Sequence, residues 1–305
     1  MDLEQELLQE GVDPALLEEA AAFRKAHPAG KMLDRIPVPR FLYYGKEVWE
    51  EAAAALLCGE NLLLAGPKAT GKNVLAENLA TLFGRPCWTI PLSVQADAAE
   101  LIGTDTFREN EVRFRPGPVT RCAQCGGFGI LDEINMARNE TLAVLHATLD
   151  FRRVIDVPGY DKIVLDDAAR FIATMNYGYA GTRELNEALT SRFAVIEMPP
   201  VDRESICKLL KREFPDLKAK WARQLSDLFK ELESKCESAE ISSRSLDLRG
   251  LLSAVRLIRK GIGADAALRM GIANKSFDPF ERQLVMDTIR ARIPKAADAG
   301  ELFGA

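Results

Sequence analysis

Histidine is almost missing from this chain: His27 and His146 are the only two in 305 residues. The six cysteines, at positions 58, 87, 122, 125, 207 and 236, follow no framework spacing, and Cys122 and Cys125 make the one close pair. A zinc site needs about four ligands, supplied by two such pairs or by one pair with suitably spaced histidines. Neither set is available, so the cysteines read as ordinary thiols. No apolar run reaches the ~18 residues that would suggest a membrane-spanning helix, and none is expected. A basic excess is lacking too. The net charge is -5 and the pI about 5.4, which speaks against a global nucleic-acid footprint while leaving a local patch open. The opening stretch MDLEQELLQEG is acidic and has no basic-then-apolar layout of a secretory leader, so a cytoplasmic location is expected. Internal repeats and low-complexity tracts do not occur.

What is present suffices for a sizeable core. With 47% hydrophobic residues, the length predicts one large domain or two modest ones. Residues 1–35 read as a helical extension in which Asp13 and Pro14 form an N-cap and first-turn pair, and Pro28-Ala29-Gly30 breaks the pattern. KEVWEEAAAALLCG predicts a second helix stopping at Gly59. Short apolar runs then alternate with helical segments: NLLLA (61–65), CWTIPLS (87–93), GFGILDE (127–133), RFIATMN (170–176) and FAVIEM (193–198). Between them, NVLAENLATLFG reads as an amphipathic helix, and NETLAVLHATLD as another with Leu142, Leu145 and Leu149 on one face. This alternation predicts an α/β fold with a largely parallel sheet covered on both sides, over residues 36–200. Beyond Pro199-Pro200 the strand signal ends, and five segments with helical period predict an all-helical domain over 201–305.

The sequence GPKATGKN, Gly66-Pro67-Lys68-Ala69-Thr70-Gly71-Lys72-Asn73, follows the first predicted strand and runs through Asn73 and Val74 into the predicted helix. A phosphate-binding loop reads G-x-x-x-x-G-K-[ST]; its backbone N–H groups cradle phosphates at the positive end of a helix, and its lysine reaches the β- and γ-phosphates. Asn73 stands where the magnesium-binding hydroxyl is usual. Its amide carbonyl is also a hard, neutral oxygen donor, one bond longer, able to act directly or through water. Ala69 replaces the commoner glycine, and alanine's steric limits predict a negative φ there. At GILDEIN, Asp132 and Glu133 fall where an apolar run ends, at the strand edge where open α/β sheets bind ligands. Asp132 would hold magnesium through its water shell, and Glu133 would polarise the attacking water.

The order GPKATGKN, LDEIN, ATMN, LTSRF and SSRSL resembles an AAA+ ATPase, and within it the MoxR-like branch, similar to the CbbQ, NorQ and GvpN group. The likeness runs from about residue 37 to 290. It is most specific in LDEINMA, in ATMNYGYAGTRELNEALTSRF and in the long segment before LDEIN. The resemblance implies that Asn176 is a polar sensor of the γ-phosphate or lytic water. It implies that Arg192 is an arginine finger serving a neighbouring subunit, and that Arg244, or its rival Arg249, is a second sensor early in a lid helix. For residues 94–121 it implies a hairpin inserted into a helix, and EVRFR alternates as a strand would. Arg108, Arg113, Arg115 and Arg121 make that segment locally basic, suited to a partner protein or nucleic acid, or to packing between subunits. The family implies ATP and Mg2+ as cofactors, a hexameric ring, and a von Willebrand factor A domain protein or client enzyme as partner. The resulting expectation is a ring ATPase that remodels or activates proteins. Two alternatives stay open: a nucleic-acid motor resembling GTP-driven restriction subunits, and a non-hydrolytic nucleotide-dependent scaffold.

Overall fold

In a computed structural model, residues 3–108, 110–177 and 184–304 are described, with the side chain of residue 108 left aside. The chain separates into two compact units, one of residues 1–67 and 71–199, the other of residues 68–70 and 200–305.

The first unit opens with α1 (Leu3–Gln9) and α2 (Pro14–Ala26). Asp13 caps α2 by accepting from the Ala15 N–H, with Pro14 in the first turn, so the local signal alone sets this helix start. After α3 (Lys46–Leu57) comes the buried strand β1 (Leu62–Gly66), then α4 (Lys72–Leu82) and β2 (Cys87–Pro91). Next is α5 (Ala98–Ile102), an antiparallel hairpin of β3 (Gly103–Arg108) and β4 (Glu111–Pro116), and α6 (Pro118–Gln124). The Ile102 carbonyl accepts from the Gly117 N–H at 2.7 Å and the Thr120 hydroxyl at 2.6 Å, so the two helical pieces close across the base of the hairpin.

Strand β5 (Phe128–Asp132) leads into α7 (Asn139–Leu142) and α8 (His146–Leu149). The single helix expected over 139–150 is instead two α-helical turns joined by a 3-10 turn at Ala143–Leu145. Leu142, Leu145 and Leu149 are nonetheless all buried. A two-stranded ribbon of β6 (Val154–Ile155) and β7 (Ile163–Val164) precedes β8 (Arg170–Asn176), α9 (Glu187–Thr190) and β9 (Ala194–Glu197). The segment GYAGTR (178–183), part of the resemblance, lies outside the described residues.

Five strands form one sheet in the order β2-β5-β8-β1-β9, with every pairing parallel. Parallel strands need covered faces. One face carries a core of Leu7, Leu17, Trp49, Leu56, Leu75, Leu79 and Phe83. The other carries Val119, Leu131, Ile134, Leu142, Leu145 and Phe171. Helices α1 and α2 contribute to the first of these, so the N-terminal residues belong to the same core as the sheet.

Polar side chains fasten this core where periodicity gave no sign of them. Asn78 of α4 is fully buried; its Oδ1 accepts from the Tyr43 N–H and its Nδ2 donates to the Phe41 carbonyl, each at 2.9 Å. Asn61 likewise accepts from the Phe171 N–H at 2.9 Å and donates to the Leu149 carbonyl at 3.1 Å. Arg170 is buried at the start of β8 and donates to the Leu56 carbonyl at 3.1 Å; desolvation pulls its pKa down to about 10.

The second unit is helical from Pro200 onward: α10 (Arg203–Glu213), α11 (Ala219–Glu237), α12 (Leu248–Arg259), α13 (Ala264–Gly271), α14 (Pro279–Arg292) and α15 (Ala299–Leu302). A Cβ at Gly250 would stand 2.1 Å from the Gly271 carbonyl oxygen, and one at Gly271 would stand 2.4 Å from that of Gly250. Helices α12 and α13 therefore cross backbone to backbone. Among the described residues no helix is long and apolar enough to cross a membrane.

Asn78→Ala would strand a buried donor and a buried acceptor at once, at a cost of about 1–3 kcal/mol each. We expect chemical denaturation to register a loss of at least about 2 kcal/mol; a loss under 0.5 kcal/mol would mean that the 41–43 segment does not depend on this amide.

Candidate functional site

The site lies where β1, β5 and β8 end. Their register pairs Gly66 with Asn176 and Leu131 with Ala173, so Asp132 comes level with Thr174, two residues before the level at which Gly66 and Asn176 lie side by side. Gly71, at φ 87°, is in the left-handed region that glycine adopts without steric penalty, and α4 begins directly after it.

Ala69 corrects an expectation: its φ is +67°, not negative. The turn of the loop imposes a left-handed residue at this position, and alanine accepts it at a cost of about 1–2 kcal/mol. Steric preference read from residue type was overruled by the geometry of the turn.

Lys72 is buried, and its ammonium donates to the carbonyls of Gly66 at 2.9 Å and Pro67 at 2.6 Å. Desolvation lowers its pKa to about 8, against the opposing pull of Glu133 and then Asp132. Asn73 points its amide at the other carboxylate: Nδ2 donates to Asp132 Oδ1 at 3.0 Å. That orientation is the one the chemistry demands, since the alternative would set two oxygens together. The Thr174 hydroxyl donates to the same Oδ1 at 2.7 Å and accepts from the Glu133 N–H at 3.1 Å. Glu133 itself has φ 56°, a left-handed conformation in which the chain turns sharply after the strand. Its Oε1 accepts from Asn176 Nδ2 at 3.2 Å. The structure thus brings together Lys72, Asn73, Asp132, Glu133 and Asn176.

Two further residues, Thr174 and Asn135, complete the cluster. Thr174 is buried and bridges Asp132 to the backbone of Glu133. Its signal was available, since it stands two residues before Asn176 on the same strand face. Asn135 is buried and donates to the Asn176 carbonyl at 2.7 Å, steadying the end of β8. Its signal in the sequence is its place at the end of LDEIN, next to the strand-end carboxylates.

The donor set suits magnesium, which prefers hard oxygens and retains several waters. With Nδ2 of Asn73 and the Thr174 hydroxyl directed at Asp132 Oδ1, the oxygens left to face a cation are Asp132 Oδ2 and Asn73 Oδ1. Among the described residues no group of three or more His, Cys, Asp or Glu gathers for a metal, and burial pushes the Cys122 thiol up.

Arg192 makes its bonds elsewhere. Its Nε donates to the His146 carbonyl at 3.1 Å, its guanidinium also meets the Ala188 carbonyl, and Asp150 Oδ2 stands 3.4 Å away. Asp150 is shared with Arg152, whose hydrogen bond is the main reason its pKa falls to about 2. Of the two arginines offered as the second sensor, Arg244 lies in a turn ahead of α12, whereas Arg249 sits in the first turn. The boundary is set by Asp247, which caps the helix by accepting from the Arg249 N–H at 3.0 Å.

The depressed pKa of Lys72 can be tested directly. In the folded state this lysine binds its proton less tightly than in the unfolded chain, so stability from this group rises with pH between about 8 and 10.5. After reductive 13C-methylation, one lysine signal, lost in Lys72→Arg, should titrate near 8. Titration of that signal above 10 would contradict the burial of the ammonium.

The family model of the AAA domain (dynein-related subfamily) matches residues 61–193. The uncharacterized protein YojN of Bacillus subtilis is 32% identical over 240 residues, which span 77% of this chain and 79% of that protein. The uncharacterized protein SAB1265c of Staphylococcus aureus is 32% identical over 249 residues, spanning 79% of this chain and 94% of its own. A solved chain from Cytophaga hutchinsonii covers 90% of this chain and 96% of its own at 16% identity with a TM-score of 0.47, too distant to bear on function. From relatives that share a third of its residues over most of its length, and from the match across the sheet that bears the site, the chain belongs to the AAA domain family, dynein-related subfamily, whose members bind nucleotide.

Proposed function

We propose that the chain is a magnesium-dependent ATPase of the MoxR-like branch that works as a hexameric ring and remodels or activates a client protein. A von Willebrand factor A domain protein is the partner this reading favours. Residues 36–200 would be the ATPase domain with its hairpin insertion, 201–305 a lid, and 1–35 an extension. The observation that carries the reading is the hydrogen bond from Asn176 Nδ2 to Glu133 Oε1, beside the linked pair of Asn73 and Asp132. The candidate sensor donates one N–H directly to the candidate base at the end of the sheet where phosphates would arrive.

Each residue then has a defined task. The N–H groups of the loop from Gly66 to Val74 surround the phosphates, and Lys72 exchanges the Gly66 and Pro67 carbonyls for phosphate oxygens. Anionic oxygens there would restore the lysine's affinity for its proton, so binding above pH 8 takes up a proton and weakens as pH rises. Asp132 and Asn73 would hold magnesium, which when bound neutralises charge between the β- and γ-phosphates. Glu133 accepts the proton of the attacking water while Asn176 orients that water. Arg192 would serve the neighbouring subunit, steadied by Asp150, and Arg244 or Arg249 would sense nucleotide from the lid.

Steady-state phosphate release tests the reading. Glu133→Gln should lower turnover by about 10²–10⁴, the usual contribution of a positioned base, and Lys72→Ala should abolish it. Wild-type release no faster than that of Glu133→Gln would leave a nucleotide-dependent scaffold instead. Strong GTP selectivity or stimulation by DNA would favour a nucleic-acid motor. Arg192→Ala and Lys72→Ala, each inactive alone, should regain phosphate release when mixed, because an intact Lys72 site on one subunit would meet an intact Arg192 from the other; no regain would rule out action between subunits.

A further inference from the structure

A cavity of about 360 Å³ opens at the base of the hairpin, between edge strand β2 and the junction of β4 with α6. It is separate from the phosphate-loop cluster and shares no residue with it. Arg35, Arg115 and Arg121 line it, with Glu100 as the carboxylate among its lining residues and Trp88 also in its wall. The Arg35 guanidinium stands 4.8 Å from the centre of the Trp88 ring. None of the three arginines has an ion-pair partner among the described residues, although the chain carries many other Arg–carboxylate pairs.

Solvated arginines alone would mean little, since water and salt screen their repulsion cheaply. The second observation is Trp88. Its side chain is buried, and its Nε1 has no hydrogen-bond partner. A Cβ placed on Gly127 would stand 2.3 Å from Trp88 Cζ3 and 2.9 Å from Cε3. That edge of the indole lies against the backbone just ahead of β5, and the same side chain forms part of the cavity wall. A buried donor without an acceptor costs about 1–3 kcal/mol, and an anionic oxygen in the cavity would satisfy it.

We propose that this cavity binds a small polyanion, a phosphate ester or a polycarboxylate, held by Arg35, Arg115 and Arg121 with the Trp88 indole N–H as a further donor. Guanidinium groups suit both anions because their paired N–H donors match two oxygens at once. The volume falls in the range of about 300–1,000 Å³ typical of small-molecule sites. Three guanidiniums against one carboxylate leave the lining with a charge of +2, which selects for anions. The inference does not depend on ATP hydrolysis.

The chain has three tryptophans, Trp49, Trp88 and Trp221, so 5-fluorotryptophan labelling gives three 19F signals, and Trp88→Phe assigns the relevant one. The full chain is titrated without magnesium with sodium pyrophosphate in one arm and sodium citrate in the other, ionic strength matched by sodium chloride. We expect the Trp88 signal to shift saturably with at least one probe while Trp49 and Trp221 stay in place. Pyrophosphate alone would identify a phosphoanion site, citrate alone a polycarboxylate site. Replacing both Arg115 and Arg121 by Gln should weaken that binding at least about tenfold, with the Trp49 and Trp221 signals reporting that the fold is kept. Lys72→Ala should leave it unchanged. No saturable shift with either probe, an equal shift with sodium chloride alone, an affinity untouched by the arginine replacements, or loss of the shift in Lys72→Ala would each overturn the proposal.

Discussion

The parallel register of β5, β8 and β1 is the constraint on which the site depends. Each strand is short, and the hydrogen-bond ladder sets where each one stops relative to its neighbours. Gly66 comes level with Asn176, and Leu131 with Ala173. Asp132 thereby meets the hydroxyl of Thr174, and Glu133 meets the amide of Asn176. A slip of one residue in either pairing would turn these side chains to opposite faces of the sheet. The buried amide of Asn61 and the guanidinium of Arg170 tie the start of β8 to backbone groups of neighbouring segments, and the amide of Asn78 ties α4 to residues 41–43.

Among the described residues five non-glycines adopt positive φ: Ala69, Asn110, Glu133, Arg153 and Ala239. Two of them, Ala69 and Glu133, lie in the loops that follow β1 and β5. Residues in such conformations cost about 1–3 kcal/mol and persist where the surroundings over-determine them. At Glu133 the surroundings are visible: the N–H donates to Thr174 and the carboxylate accepts from Asn176, so the residue is held at both ends.

Much of this is legible in the sequence. The apolar runs lie within a residue or two of the strands, because a strand buried on both faces must be apolar throughout. That Lys72, Asn73, Asp132 and Glu133 come together is legible because phosphate loops and strand-end carboxylates are local patterns. Thr174 and Asn135 were harder to see, since their roles exist only across strands distant in sequence. The 3-10 turn at Ala143–Leu145 was hidden as well, because three leucines at helical spacing bury equally well on a broken helix.

By itself the sequence determined the element types, the phosphate-loop signature and the identity of the groups able to do chemistry, because these follow from residue type and spacing along the chain. Only the tertiary structure decided how those groups pair. It turned the amide nitrogen of Asn73 onto Asp132, placed Arg192 against Asp150 and the His146 carbonyl, gave Ala69 a left-handed backbone, and gathered three arginines beside the buried indole of Trp88. Each of these depends on which segments the sheet register and the core bring face to face, and such long-range juxtaposition leaves no periodic trace in the sequence.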